Sequence, residues 1–556
     1  MNPRLKLFPL LLLAVSHGAI AQQLPGAGSQ LRQLPTPPPV TPAQPQIRIE
    51  EGAAPVTTAA EAPTVQVAQL QVTGARAFTA AELVAVAGFA PDSPLTLADL
   101  QAMAARITAH YRNAGYFVAR AYLPAQDVTA GTVTIAVSEG VLGEVTLRNQ
   151  STLADDVAYR RLAGLPPGEA LTIAPIEERL LLLSDIPGVT VQSTMVPGRL
   201  PGTSDLVVDI APGRRVTGSV DADNAGNRYT GEYRLGATVN LNNPLGRGDL
   251  ASLRLLTSGS GLRYGRGAYQ MPFGRVTAGV AYSRLDYELG EQYRDLDAHG
   301  TADIASVFGS IPLIRSRDRN LYAGLAFEHR EFEDRIGLID AVTEKQARVV
   351  IASLYGNRYD TYGGGGANAF YLGLSSGDLD IRTPAVRDAD AVTARAQGGY
   401  TKLAFNVSRL QSVTELWSLY GALGGQIASG NLDPYEKLVL GGMDGVRAYP
   451  QGEGFGDEGL IANLEARRLL PALGNHLPGQ VHLVGFVDAG RITADKDPWY
   501  AGSTSRTLSG AGLGATWDVP GNFAVRTYYA RKLGNEDALS APDRSGRFWI
   551  QAVKYF

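Results

Sequence analysis

From Val216 to Phe556 the sequence is cut into short runs in which apolar and polar residues alternate, with Gly, Asn, Asp and Pro between them. No other feature constrains the fold as much. A period of two sends successive side chains to opposite faces of a strand. About sixteen candidate strands can be marked, near 217–224, 230–241, 249–258, 262–272, 275–286, 301–313, 319–331, 346–356, 367–376, 392–405, 412–426, 460–470, 481–490, 508–518, 522–531 and 547–556. An even number of such strands, with short turns alternating with longer loops, is the pattern of a transmembrane β-barrel. A soluble β-sandwich is the competing fold, but an uninterrupted run of this many strands is long for one. In the last strand Phe548, Ile550, Ala552 and Phe556 share one face; Lys554 is the exception and can snorkel to the interface.

The N-terminus points to export. Arg4 and Lys6 precede an apolar run, Leu7–Val15, and Ala19-Ile20-Ala21 offers a small-residue cleavage site. This predicts a secretory leader over 1–21. No later segment approaches the ~18 consecutive apolar residues of a spanning helix. Residues 22–64 read as a linker. Pro35, Pro37–Pro39, Pro42 and Pro45 favour extended polyproline II over packed structure. Ahead of them Ser29 can cap a short helix carrying Leu31 and Leu34. So short a helix is marginal alone in water, so if ordered it must be docked.

Between linker and barrel the pattern is α+β. Val65–Val72 suits a strand, Thr79-Ala80-Ala81-Glu82 is a capping box opening a short helix, and Thr96–Ala114 repeats apolar residues at helical spacing. Tyr116–Leu123 and Thr132–Ser138 follow as strands, joined by a turn at Thr129-Ala130-Gly131. The same order then recurs as Val141–Leu147, Leu153–Ala163, Ile173–Leu183, Val189–Val196 and Asp205–Ile210. A repeat of roughly seventy residues implies two similar modules in tandem, 65–140 and 141–213.

Here a resemblance becomes specific. Tyr111-Arg112-Asn113-Ala114-Gly115-Tyr116, Pro124–Val128, Gly131–Ile135 and Glu139-Gly140 resemble the polypeptide-transport-associated (POTRA) domain of the two-partner secretion transporters. These are outer-membrane exporters of haemolysins and filamentous-haemagglutinin-like adhesins. The proline-rich linker, the N-terminal helix and two modules also match. The resemblance implies a sixteen-stranded outer-membrane barrel over 214–556 preceded by two periplasmic POTRA domains. The implied partners are a secreted protein (adhesin, haemolysin or toxin), outer-membrane lipid and the barrel-assembly machinery, for which the terminal aromatic Phe556 would be the signal. The helix and an inward loop together would plug the resting pore.

That loop is the candidate site. Gly441-Gly442-Met443-Asp444-Gly445-Val446-Arg447-Ala448-Tyr449, continued by Gly452–Gly459, is too glycine-rich for a helix. A loop of this length (428–459) within an ordered β region is usually functional or disordered, and its composition is poor for disorder. The strand Gly485–Gly490 points Asp488 to one face, and the expectation is that Arg447 folds back inside the barrel to pair with it. Arginine suits this because its planar fork grips a carboxylate bidentately. Glu465, on the twelfth strand, can share the arginine. The resemblance carries the family's lock onto Val446, Arg447, Ala448 and Tyr449, and onto Phe486, Asp488 and Gly490. Ala448 stands where the family usually has glycine, so the tip backbone is expected to be less free.

Enzymatic signatures are nearly absent. Gly373-Leu374-Ser375-Ser376-Gly377 matches the nucleophile-elbow pattern, but β sequence follows it and a glycine-rich barrel turn is the better reading. Gly363–Gly366 has no GK[ST] and no helix after it. The 6 histidines show no metal-ligand spacing and there is no cysteine. A net charge of −4 excludes a strongly basic nucleic-acid binder. The sequence therefore predicts neither an enzyme nor a cofactor or metal site. The main alternative is a factor that inserts other barrels into the membrane; relatives of that kind commonly carry more than two POTRA modules and lack the plug helix. A passive porin or receptor would not explain the tandem modules.

Overall fold

The structure, a computed structural model, describes residues 24–35, 46–49, 64–128, 131–165, 172–200, 202–259, 261–471 and 477–556. The expected leader, most of the proline-rich stretch and residues 129–130 of the expected turn lie outside them. The chain divides into two compact units. One holds residues up to 41 with 216–241 and 250–556, and the other holds 42–215 with 242–249. A short helix, α1 (Ala27–Arg32), belongs to the first.

The second unit contains two α+β modules of the same topology. It begins with β1 (Gln46–Ile49). The first module runs β2 (Val65–Val67), β3 (Gln69–Thr73), α2 (Ala80–Ala87), β4 (Ser93–Leu95), α3 (Leu97–Asn113), β5 (Arg120–Tyr122) and β6 (Thr132–Ser138). Thr96 caps α3 in a reciprocal capping box with Asp99, which satisfies two otherwise orphaned N–H groups. Leu100, Met103, Ile107 and Tyr111 form one buried stripe of α3 and pack on Leu70, Val72, Val133 and Ile135 of the sheet. The second module runs β7 (Val141–Asn149), α4 (Asp155–Leu162), α5 (Ile173–Ser184), β8 (Val189–Pro197) and β9 (Thr203–Pro212). In the first module β3 lies parallel to β6 and β5 antiparallel to it, while β2 pairs with β4; in the second β7 lies parallel to β9 and β8 antiparallel to it.

One difference from the sequence reading falls in the linker. Rather than staying extended and unpaired, Gln46–Ile49 adds to the second module's sheet, parallel to β8 in the register Gln46↔Gln192 to Ile49↔Met195. Four residues joined by backbone bonds to a strand far along the chain leave no local periodicity to read.

The first unit is a barrel. Its wall begins with β10 (Val216–Asp223), β11 (Arg234–Asn242), β12 (Leu250–Thr257), β13 (Leu262–Phe273), β14 (Val276–Glu288) and β15 (Ala298–Arg315). It continues with β16 (Arg319–Ile336), β17 (Ala341–Asp360), β18 (Gly366–Ile381), β19 (Gly398–Ser412) and β20 (Trp417–Ala428). A helix, α6 (Pro384–Val392), lies between β18 and β19. After β20 the chain makes a short pair, β21 (Leu438–Val439) with β22 (Phe455–Gly456), that is not part of the wall. The wall then resumes with β23 (Glu458–Leu469), β24 (Gln480–Thr493), β25 (Ser505–Val519), β26 (Phe523–Lys532) and β27 (Gly546–Tyr555). Among the described residues these sixteen wall strands close antiparallel, β27 against β10. Phe556 completes the seam by exchanging backbone hydrogen bonds of 3.1 Å with Gly218 in both directions. All sixteen marked strands fall on wall strands.

Leu253, Leu255, Leu325, Phe327, Leu464 and Leu513 stand exposed on the outer face, the apolar band a lipid environment requires. Phe548, Ile550 and Phe556 are exposed beside Lys554, whose amine meets the Asn522 side chain. The Gly373–Gly377 stretch, expected as a turn, lies within β18, so the backbone there is pleated wall. Among the described residues no helix is long and apolar enough to cross a membrane.

Candidate functional site

The segment between β20 and β23 folds into the barrel as a hairpin. Leu440 and Gly441 donate backbone bonds to Gly454 and Glu453 at 2.9 and 2.8 Å, and Val446 N–H closes the tip on Leu440 O at 2.9 Å. Gly442 and Gly454 sit at φ +128° and +74°, backbone that side chains rarely adopt. The glycine-rich composition of the tip is what lets so long an excursion fold this tightly.

Arg447 is buried at the tip. Its Nε donates to Asp488 Oδ2 at 2.8 Å and its Nη2 to Asp488 Oδ1 at 2.7 Å. The same Asp488 Oδ2 accepts the Arg447 backbone N–H at 3.1 Å. The third guanidinium nitrogen, Nη1, donates to Glu465 Oε1 at 2.7 Å. Glu465 in turn accepts from Arg467 Nε at 2.8 Å, so Asp488, Arg447, Glu465 and Arg467 form a chain of alternating charge with no net excess. The fixed pairing compensates for the removal of Arg447 and Asp488 from water. The guanidinium carbon stands 3.5 Å from the centroid of the Phe486 ring and 4.8 Å from that of Tyr528, close enough for cation–π attraction.

The remaining expected residues surround this core. Val446, Ala448 and Tyr449 are wholly buried, and the Tyr449 hydroxyl donates to Glu536 O at 3.0 Å. Gly490 has no side chain because Leu440 occupies the space: an added Cβ would lie 2.5 Å from Leu440 Cδ1. Gly510 likewise faces Ala448, with 2.4 Å between the Ala448 methyl and a Cβ built at 510. The alanine at the tip therefore fits a bare patch of β25, and its φ is not in the left-handed region.

Other residues of the site were not singled out from the sequence. Asn463, the cross-strand neighbour of Asp488, donates to Asp488 Oδ1 at 2.8 Å and to Gly445 O at 3.0 Å. Trp549 donates its indole N–H to Arg447 O at 2.7 Å. Both lie on inward faces, Asn463 two residues before Glu465 and Trp549 between the outward Phe548 and Ile550, and that alternation is the signal that could have found them. Glu453 is wholly buried, pairs with Arg506, and accepts the N–H groups of Leu539 and Ser540 at 2.9 and 2.8 Å. Glu436 pairs with Arg330, with Lys402 at 2.6 Å and with the Tyr400 hydroxyl at 2.6 Å. Asp433 meets Lys345 at 2.8 Å.

The helix α1 lies in the same interior. Ala27 N–H donates to Asp334 Oδ1 of β16 at 2.7 Å, Arg32 Nε to Lys437 O of the loop at 3.1 Å, and Arg234 Nη1 to Gln33 O at 3.0 Å. It is docked between wall and loop, which removes the objection that so short a helix is unstable in water. Its N-cap is Gly26; Ser29 sits inside the helix and donates to Gly26 O at 2.8 Å. The helix starts before the expected cap because Asp334 takes the N–H group that a cap would leave open. Among the described residues no cluster of three or more His, Cys, Asp or Glu is arranged to hold a metal ion.

The profile of the haemolysin secretion/activation protein family ShlB/FhaC/HecB matches residues 202–517. The chain belongs to that family. The ShlB-type POTRA profile matches residues 65–140. The heme/hemopexin transporter protein HuxB of Haemophilus influenzae is 28% identical over 473 residues, covering 83% of this chain and 82% of that protein. The outer membrane transporter CdiB of Dickeya dadantii is 25% identical over 418 residues, covering 73% of this chain and 72% of that protein. The solved structure of CdiB from Escherichia coli superposes with a TM-score of 0.66 at 24% identity, over 90% of this chain and 93% of that one. The chain is thus an outer-membrane transporter of the two-partner secretion type, with its POTRA domains on the periplasmic side.

Proposed function

We propose that Arg447, Asp488 and Glu465 are a conformational lock that holds the inward loop, and with it α1, across the lumen until a partner chain arrives. The observation that carries the reading is the two-pronged contact of a buried arginine at a loop tip with a buried acid on the wall. Val446, Tyr449, Phe486 and Gly490 shape the apolar seat around it. The partner is a large secreted protein, of the adhesin, haemolysin or toxin kind, that reaches the pore unfolded. The POTRA modules recognise it through sheet edges, where main-chain hydrogen bonds give affinity with little demand on sequence. In this reading 1–21 is the export leader, 22–64 the plug helix and linker, 65–140 and 141–213 the periplasmic modules, and 214–556 the pore. The chain performs no catalysis and needs no cofactor. Phe556 serves the assembly machinery that places the barrel in lipid.

The test is secretion. The chain is expressed in its host with and without Arg447→Ala, and proteins in the medium and on the cell surface are compared. Loss of one large protein, with other outer-membrane barrels at normal levels, is the expected result. A common fall in many barrels would identify an assembly factor instead, and no change on deleting the whole gene would end the export reading.

A further inference from the structure

Glu465 sits between two arginines and divides its oxygens between them. Its Oε1 accepts from Arg447 Nη1 at 2.7 Å. Its Oε2 takes both Nε and Nη2 of Arg467, at 2.8 and 2.7 Å. Two donors of one guanidinium thus crowd a single oxygen. The stronger arrangement gives each of those donors an oxygen of its own, and here the second oxygen is held by Arg447. Arg467 lies two residues further along the same inward face of β23. Tyr420 is the cross-strand partner of Glu465, and its ring centroid stands 4.6 Å from the Arg467 guanidinium carbon. The residue opposite Arg467 is the small Ser418. The wall therefore keeps Arg467 beside Glu465 with room to adjust. Its side chain is 28% exposed, against 4% for Arg447 and 6% for Glu465, so it is the wet end of an otherwise desolvated chain of charges.

We propose that Glu465 changes partners when the tip leaves, from Arg447 to Arg467, and that Arg467 is the positioning residue that receives it. The inference rests on the reading of Arg447, Asp488 and Glu465 as a lock. As Arg447 withdraws, the carboxylate turns Oε1 onto Arg467 and completes a two-pronged pair with it. Asp488 is the contrast. Both its oxygens take Arg447, and among the described residues its other side-chain donor is the neutral Asn463 at 2.8 Å. Departure of the tip leaves Asp488 without a cation. The two acids then have different tasks: Asp488 supplies a hold that is lost outright on opening, and Glu465 supplies one that is exchanged. Stranding a buried charge is the dominant cost of breaking such a site. With Arg467 as receiver, opening strands one acid and not two, which makes the lock reversible.

The sign of one substitution separates exchange from simple support. If Arg467 only props Glu465 against Arg447, its removal loosens the closed lock. If it receives Glu465, its removal costs the closed lock the contact at one oxygen and the open lock the contacts at both, so opening becomes rarer. The readout is labelling of Met443→Cys, in the buried cluster around the tip, by a membrane-impermeant maleimide on the full-length transporter in outer membranes; its rate follows the open population. Asp488→Ala is the background, because it leaves Glu465 as the carboxylate on Arg447 and makes labelling fast enough for a decrease to be measured. Adding Arg467→Ala should slow labelling about tenfold, the worth of one hydrogen bond between charged groups. Arg467→Lys keeps the charge without the fork and should slow it less. With Glu465→Gln also present, Arg467→Ala should change the rate at most about twofold. Faster or unchanged labelling with Arg467→Ala overturns the inference, as does slowing that persists with Glu465→Gln. Should Arg467→Ala fail to form a heat-resistant barrel, faster or unchanged labelling of Arg467→Lys overturns it in the same way. If Asp488→Ala itself labels at the wild-type rate, the lock reading falls and the exchange with it.

Discussion

The lock predicts a specific non-additivity. Arg447→Ala and Asp488→Ala each break a contact whose side chains are 4% and 0% exposed. Removing one member of a buried pair costs ~3–5 kcal/mol. The lower end applies here, because each survivor keeps a partner. Asp488 retains Asn463 at 2.8 Å, and Arg447 retains Glu465 at 2.7 Å and the Phe486 face. About 3 kcal/mol corresponds to an increase on the order of 10²-fold in the population with the tip displaced. The assay is labelling of Met443→Cys by a membrane-impermeant maleimide. Met443 is buried beside the lock, and the chain has no cysteine to compete. When closing is fast, the labelling rate follows the open population. Each single substitution should raise the rate on the order of 10²-fold, and the double should raise it little further, because the second substitution acts on a contact the first has already broken. A double variant whose rate is the product of the two single effects would show that the residues act independently and would refute the lock.

Two further outcomes follow from the packing and the periplasmic modules. Gly510→Ala places a methyl against Ala448, an overpacking worth ~1–3 kcal/mol. It should raise Met443→Cys labelling, and the added change Ala448→Gly should bring the rate back; failure of that rescue would mean the two residues do not meet. In the first module Glu139 accepts the Arg76 and Ala77 N–H groups at 2.6 and 2.7 Å and the Tyr111 hydroxyl at 2.8 Å. Burial pushes its carboxyl up, but these donors together hold it below its ordinary 4.5. A depressed folded value means the stabilisation is complete above the unfolded pKa and is lost as pH falls through the folded one. Hydrogen exchange of 65–140, corrected for its intrinsic pH dependence, should therefore accelerate below pH 4.5, and Glu139→Gln should flatten that response. Identical profiles for the two proteins would exclude this role.

The barrel was legible because lipid on one face enforces alternation. Leu325 and Phe327 mark the outward face of β16, and the expected strand at 319–331 starts where the observed one does. It ends early, at 331 rather than Ile336. Past Phe327 the outward residues are His329, Glu331, Glu333 and Arg335, while Arg330 and Asp334 point inward to Glu436 and to α1. With polar side chains on both faces the alternation vanishes, although the backbone stays paired to β17. β17 overruns its expected limits at both ends for the same reason. In the site, Arg447 and Asp488 stood out as isolated charges in glycine-rich and apolar surroundings. Glu453 did not, since nothing local distinguishes an acid that will be buried from one that will be solvated; its partners Arg506 and Ser540 come from β25 and a later loop. Of the apolar seat, Phe486 was named through the resemblance, while Val484, Leu508 and Trp549 were hidden by the rule that a wide barrel is polar inside. Val484, Phe486, Leu508 and Trp549 face inward because the loop, not water, fills that part of the lumen.

The distribution of charge along the loop bears on how it can move. Asp433 and Glu436 reach Lys345, Arg330 and Lys402 on β16, β17 and β19. Glu453 reaches Arg506 on β25, and Arg447 reaches β23 and β24. The loop thus touches the wall on widely separated strands through desolvated ion pairs. Each pair costs several kcal/mol to separate without replacement. Withdrawal of the whole loop as one body would break all of them together, and a thermal fluctuation does not supply that. Release of 442–450 alone breaks the Arg447 contacts, the exposed Asp444–Arg526 pair and the seat on β24–β27, and leaves Asp433, Glu436 and Glu453 paired. The tip is also where Ala448 meets Gly510 and Leu440 meets Gly490, with no wall side chain to unlock. On the proposed lock, the energetically accessible opening is therefore a hinge of 442–450 on a base anchored by Asp433, Glu436 and Glu453, with Arg447 as its gate and the bare strands behind it as its path.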